Sequence, residues 1–254
     1  MIEDEHMKQN GGSTFEDERH SLVRVGRPIM FNPDAGRSLD NNYVAPRFYN
    51  CFSASLLKNQ DTAISFAVGI TSANASEGKT LVASNLAVSL AVAQGKDTLL
   101  VDFNFKKPRL HTIFGTRLSP GLGEAANEAT ISVSPTLVKH LYVLSAGAGG
   151  SMKLLTETGT FKNNGANRSV ELDTLPVFRD IMYSLRQEFE FIVIDLPAIH
   201  DPAAPLLLTG HMNGLLVVVD TLKTKQRDLD HAMTVLNKSH VTGFVLNRFN
   251  SDVR

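Results

Sequence analysis

A strand-sized apolar run, Phe66-Ala67-Val68-Gly69-Ile70, leads into Thr71-Ser72-Ala73-Asn74-Ala75-Ser76-Glu77-Gly78-Lys79-Thr80 and then a helix-length segment, Lys79 to Gln94. No other stretch of the chain restricts its fold as tightly. The spacing is that of a phosphate-binding loop, with Ala73 in place of the usual first glycine. A turn between strand and helix aims several backbone N–H groups inward and forms an anion cradle. Ala73, Asn74, Ala75, Ser76, Glu77 and Gly78 supply that turn, and Leu81 adds an N–H in the first helical turn. The helix adds the positive end of its dipole. Gly78 lets the backbone come close to a phosphate, Lys79 puts a charge on the outer phosphates, and Thr80 offers a hydroxyl to magnesium. A plain strand–loop–helix turn with an exposed lysine is the competing reading. The flanking apolar strand and amphipathic helix favour the nucleotide reading.

Five further apolar runs follow: Leu99 to Val101, Leu141 to Leu144, Phe191 to Ile194, Leu215 to Val219 and Phe244 to Leu246. They are continuous rather than alternating, as in strands buried on both faces. Helix-length segments, Leu175 to Phe189 and Arg227 to Lys238 among them, lie between the runs. Strand alternating with helix predicts a three-layer α/β fold of the phosphate-loop NTPase class with a mostly parallel central sheet.

Two runs end in aspartate, at Asp102 and Asp195. In a parallel sheet, ligands bind at the carboxyl ends of the strands, so both face the loop. A magnesium ion on a polyphosphate keeps waters held by one or two carboxylates. Asp195, with Thr80, is the candidate for that role, and Asp102 for orienting or deprotonating the attacking group. Each could instead cap the turn that follows it; two such residues together with the loop favour function.

Residues 1–43 carry acidic clusters and little periodicity, which reads as a mostly disordered arm ahead of a domain over 44–254. A short helix is expected from about Pro46 to Leu57, and a surface loop from Gly147 to Asp173. The chain has 25 basic and 26 acidic side chains, so no broad footprint for nucleic acid is expected. Its one cysteine, Cys51, excludes an internal disulfide and a multi-cysteine metal site. The start is acidic rather than basic-then-apolar, and no apolar run reaches spanning length. The expected location is cytoplasmic.

The loop, the stretch Leu99-Leu100-Val101-Asp102-Phe103-Asn104-Phe105-Lys106-Lys107-Pro108 and the stretch Val193-Ile194-Asp195-Leu196-Pro197 resemble the bacterial tyrosine kinases of polysaccharide export. This family lies within a larger group that includes the partitioning and division-site ATPases. The resemblance runs from about Ala63 to Arg248. It implies ATP and magnesium as cofactors, phosphate transfer to tyrosine, and control of capsule or exopolysaccharide assembly. It also implies a partner, the cytoplasmic segment of a transmembrane chain-length regulator (polysaccharide co-polymerase), that would recruit the chain to the membrane, and a possible homo-oligomer. Gly243 to Arg248 is similar to the family's last strand, which implies that Asn247 meets adenine.

Three departures stand out. Asn104 replaces the family's second aspartate, Lys106 its arginine, and no tyrosine follows Tyr183. Of the tyrosines, Tyr142 falls in an expected buried strand, while Tyr43 and Tyr49 are the more available pair. Two other functions stay open: an ATP-binding regulator that gates a membrane partner without phosphorylating tyrosine, and a positioning ATPase. Asn74, where the partitioning ATPases carry an extra lysine, counts against the latter.

Overall fold

The computed structural model describes residues 29–31, 65–127, 130–148, 175–200, 209–236 and 241–248. The expected helix at Pro46–Leu57, Cys51, Tyr43, Tyr49, most of the Gly147–Asp173 loop and all of the arm except residues 29–31 lie outside the described residues. The strands are β1 (Ile29–Phe31), β2 (Phe66–Ser72), β3 (Thr98–Asp102), β4 (Ile131–Pro135), β5 (Leu141–Leu144), β6 (Phe191–Asp195), β7 (Gly214–Asp220) and β8 (Val241–Asn247). The helices are α1 (Lys79–Gln94), α2 (Leu110–Phe114), α3 (Leu122–Asn127), α4 (Leu175–Glu188) and α5 (Gln226–Val235).

Among the described residues the sheet has eight strands in the order β1-β4-β5-β3-β6-β2-β7-β8. Every pairing is parallel except β4 with β5. Each of the six apolar runs is a strand. The two strands that the sequence did not reveal sit at one edge. β4, second from that edge, reads Ile-Ser-Val-Ser-Pro, in which buried Ile131 and Val133 alternate with serines. β1 is three residues long and lies in the stretch assigned to the arm.

Side-chain alternation across the sheet builds two cores. Val68, Ile70, Leu100, Val193, Leu216 and Val218 face α1 and α2. Leu99, Val101, Ile192, Ile194, Leu215 and Val217 face α3, α4 and α5. The amphipathic description of α1 proves too narrow. Its buried residues run from Val82 through Ala91 on more than one face, while Leu81 and Val92 are exposed. Small alanines let this helix lie close to the central strands. It stops at Gly95, whose φ of 61° only glycine adopts without cost and whose N–H returns to the Ala91 carbonyl at 3.1 Å.

Tyr142 also departs from expectation, being only partly buried. Its ring lies 5.4 Å from that of Phe189. Burial, and then the charge of Asp97, push its phenol pKa up. Among the described residues no helix is long and apolar enough to cross a membrane.

The α1–sheet contact is the structural base of the loop. Leu86, fully buried at its centre, is expected to cost about 3 kcal/mol when cut to alanine. Urea denaturation of Leu86→Ala measures this; a loss below about 1 kcal/mol would mean that α1 is not seated as described.

Candidate nucleotide site

Five neighbouring strands bring polar residues to one end of the sheet. β3 ends in Asp102, β6 in Asp195, β7 in Asp220 and β8 in Asn247, while β2 runs into the loop. Asp102 and Asp195 are direct partners in the β3–β6 register, and Asp220 and Asn247 in the β7–β8 register.

The loop itself is wound tightly. Ser76 has φ 64° and Gly78 φ 98°. A side chain at Gly78 would run into the Asn247 amide, so glycine is required there for both its backbone angle and its space. No side chain caps α1 at its N-terminus, which leaves its first N–H groups for the cradle. Lys79 is buried and donates from Nζ to Ser72 Oγ at 3.0 Å. Ser72 Oγ in turn donates to the Asn74 carbonyl at 2.6 Å. Ala73 is fully buried, and Leu81 is exposed beside the cradle.

Thr80 Oγ1 donates to Asp195 Oδ2 at 2.6 Å. Asp195 is buried, and its Oδ1 meets no hydrogen-bond donor. Desolvation, most of all, lifts its pKa to about 7; nearby Asp102 adds to the rise, whereas Thr80 and Lys79 oppose it. A buried carboxylate oxygen without a partner is costly. A hydroxyl and a carboxylate side by side form an all-oxygen set suited to a hard cation such as magnesium. The residues present therefore fit that ion.

Asp102 is placed differently. Its Oδ1 accepts the N–H of Asn104 at 3.0 Å, and its Oδ2 accepts those of Arg109 and Leu110 at 2.9 and 3.1 Å. It caps α2 and folds the 103–109 loop back over the end of β3. Burial raises its pKa, and these three backbone bonds offset part of the rise. Asn104, at the position of the family's second aspartate, uses its Oδ1 to accept the Lys107 N–H at 3.2 Å.

Asn247 braces the loop. Its Nδ2 donates to the Glu77 carbonyl at 2.9 Å and its Oδ1 accepts the Arg248 N–H at 2.9 Å. Glu77 is buried and crosses behind the loop to accept the Asn74 N–H at 3.0 Å and the Thr224 hydroxyl at 2.6 Å. Thr224 Oγ1 also accepts the Asp220 N–H at 3.0 Å, and buried Asp220 pairs with Arg248. Sequence reasoning listed Glu77 only as a loop residue and missed Ser72, Thr224, Asp220 and Arg248. One signal was available, since Asp220 ends an apolar run just as Asp102 and Asp195 do. His200 approaches the loop through its backbone N–H, 3.4 Å from the Ala73 carbonyl, and its ring stacks on that of His231 at 5.2 Å. Tyr183 stands exposed on α4.

Residues 68–254 match the CobQ/CobB/MinD/ParA nucleotide binding domain. The chain is 30% identical over 188 residues to the putative tyrosine-protein kinase CapB of Staphylococcus aureus, covering 72% of this chain and 75% of CapB. The chain belongs to the bacterial tyrosine-kinase family within that domain superfamily. It is also 31% identical over 189 residues to the succinoglycan biosynthesis transport protein ExoP of Rhizobium meliloti, a match that spans 71% of this chain and only 22% of ExoP. Among solved structures, the chimerical protein CapA2B2 superposes with a TM-score of 0.65 at 21% identity, over 93% of this chain and 99% of that one. That likeness concerns the fold.

The pH dependence of stability isolates Asp195. Its folded pKa lies above the unfolded value, so the native state holds the extra proton between about pH 4 and pH 7. Its contribution to stability therefore falls as pH rises through that window. Without metal or nucleotide, Asp195→Asn is expected to match the parent at pH 4 and to exceed it at pH 8 by about 1 kcal/mol or more. Urea titrations of both proteins at the two pH values measure the difference; a variant less stable at pH 8 contradicts the assignment.

Proposed function

We propose that the chain is an ATP-dependent protein-tyrosine kinase that regulates capsule or exopolysaccharide synthesis and export, partnered by the cytoplasmic segment of a membrane chain-length regulator. The observation that carries this reading is the buried Asp195 carboxylate, bonded to Thr80 on one oxygen and unpartnered on the other, at the mouth of the 71–80 loop. The names of CapB and ExoP supply the polysaccharide setting and the kinase chemistry.

Each role follows from placement. The loop N–H groups and the start of α1 bind the phosphates. Lys79 leaves Ser72 to neutralise the outermost phosphate charge. Thr80 and Asp195 would hold magnesium, which would supply positive charge to offset the charge that develops on the phosphate oxygens. Asp102, fixed by three backbone N–H groups, keeps lone-pair capacity to orient a phenol. The transferred phosphoryl breaks its bond to the ADP oxygen and forms one to the tyrosine oxygen, and the phenolic proton passes to Asp102 or to water. Tyrosine titrates near pH 10, so a positioned base assists at neutral pH. Asn247 braces the loop from beside the β7–α5 turn, and its adenine contact belongs to this proposal. Tyr43 and Tyr49, with exposed Tyr183, are the acceptor candidates in the chain.

A regulator that binds ATP without transferring phosphate is favoured by one observation: uncharged Asn104 serves the local turn rather than the site.

Incubation of the full chain with magnesium and terminally labelled ATP, beside Lys79→Ala and with or without the regulator's cytoplasmic segment, separates the two readings. The kinase reading expects tyrosine label, mapped by mass spectrometry, that falls at least 100-fold in Lys79→Ala, on the order of one lost charge stabilisation of the transition state. Tight ATP binding with no tyrosine label under any condition leaves the regulator.

A further inference from the structure

The stretch after Asp102 is charged quite differently from the rest of the chain. Residues 103–123 carry Lys106, Lys107, Arg109 and Arg117 and no acidic residue, in a chain of formal net charge -1. All four cations are exposed. They lie at the site end of the sheet. The N–H groups of Arg109 and Leu110 bond to Asp102, which draws the 103–109 loop over the end of β3. The Arg117 carbonyl accepts from Ser145 Oγ at 2.7 Å, just past the end of β5. A basic strip thus runs from β3 towards β5, in the direction of β4 and β1.

β1 settles which part of the chain arrives there. β5 is parallel to β3, β4 antiparallel to β5, and β1 parallel to β4. β1 therefore runs opposite to β3, and its first residue, Ile29, lies at the site end. The register fixes the height. Ile29 pairs with Ile131, three residues before Ser134; Ser134 pairs with Val143, and Val143 with Leu100. Ile29 is consequently level with the first residue past Asp102. Three inter-strand spacings, about 14 Å, separate β1 from β3.

The residues before Ile29 start from this point. Residues 1–18 hold six acidic side chains (Glu3, Asp4, Glu5, Glu16, Asp17, Glu18) against one lysine, Lys8. Ten residues lie between Glu18 and Ile29. Fully extended, that length reaches at most about 35 Å, more than the separation to be crossed.

We propose that the basic strip Lys106-Lys107-Arg109 is a docking surface for acidic peptide, and that its resident occupant is the chain's own Glu16-Asp17-Glu18 segment. The strip borders the acceptor side of the site, so the segment competes there with acidic phosphate acceptors. This consequence rests on the kinase reading; the docking itself does not.

Zero-length carbodiimide cross-linking of the full chain at low salt, read by mass spectrometry, tests the docking without reference to activity. Lys96 and Glu190, 3.5 Å apart and exposed, are the internal control. Cross-links from residues 16–18 to Lys106 or Lys107 are expected. They should survive 20-fold dilution, at about the same yield if intramolecular, and vanish at about 0.5 M salt. The proposal is overturned if the control pair links and the arm does not. Links spread evenly over Lys139, Lys223 and Lys225, or links found only between isotopically distinct chains, overturn it as well. In transfer assays with a random glutamate–tyrosine copolymer, Glu16→Gln/Asp17→Asn/Glu18→Gln should lower the copolymer KM about fivefold, the order expected from three weak surface pairs. The kcat and the KM for ATP should stay unchanged. An unchanged copolymer KM removes the competition. An absence of transfer in both proteins counts against the kinase reading, while the cross-link still decides the docking.

Discussion

The hydroxyl of Thr80 meets a carboxylate from which water has been removed. That contact joins the first turn of α1 to the end of β6 and fixes the loop between them. It exists only because β2 and β6 are adjacent parallel strands, so that one strand's loop and the other's last residue arrive at the same height. The two apolar cores hold those strands in register. The energetic tension lies in Asp195 itself: folding buries a group that favours water, leaves one oxygen without a donor and raises its pKa to about 7. An arrangement of that kind lowers stability unless a cation answers it, which makes Asp195 a candidate for a functional site.

Behind the loop runs a second set of contacts that carries no tension of this sort. Glu77, Thr224, Asp220, Arg248 and Asn247 are satisfied by one another and by backbone. They tie the loop to the β7–α5 turn and the end of β8. Asp102 shares this satisfied character. Two of its three backbone donors, Arg109 and Leu110, start α2, so it caps that helix as well as being a candidate for phenol positioning. The simpler reading of a strand-end aspartate fits Asp102, and its role toward a phenol belongs to the proposal, whereas Asp195 accepts only from the Thr80 hydroxyl among the described residues.

Much of this was legible before any coordinates. Continuous apolar runs gave six strands, because a strand dry on both faces has no polar alternation to disguise it. The helix from Lys79 to Gln94 was legible to the residue, bounded by Gly78 and Gly95. β4 and β1 were not. β4 alternates, and β1 is too short for any period to show, so only pairing reveals them. The brace was hidden for another reason. Glu77 to Thr224 spans 147 residues, and no local pattern encodes a contact of that range. Asp220 was the exception, since it closes an apolar run in the same way as the two aspartates that were recognised. Asn247 was noticed through family resemblance, and the structure adds that its amide is engaged with the loop backbone.

In the proposed function, magnesium-nucleotide binding turns on the Asp195 carboxylate. Titration calorimetry of magnesium-ATP into the full chain at pH 7, in two buffers of different ionisation enthalpy, measures the protons exchanged. With the Asp195 pKa at about 7 in the free chain and the carboxylate ionised beside the cation, about half a proton is released on binding. In Asp195→Asn that release disappears and affinity no longer depends on magnesium. Equal proton release in the two proteins, or tight magnesium-dependent binding by the variant, would contradict the account.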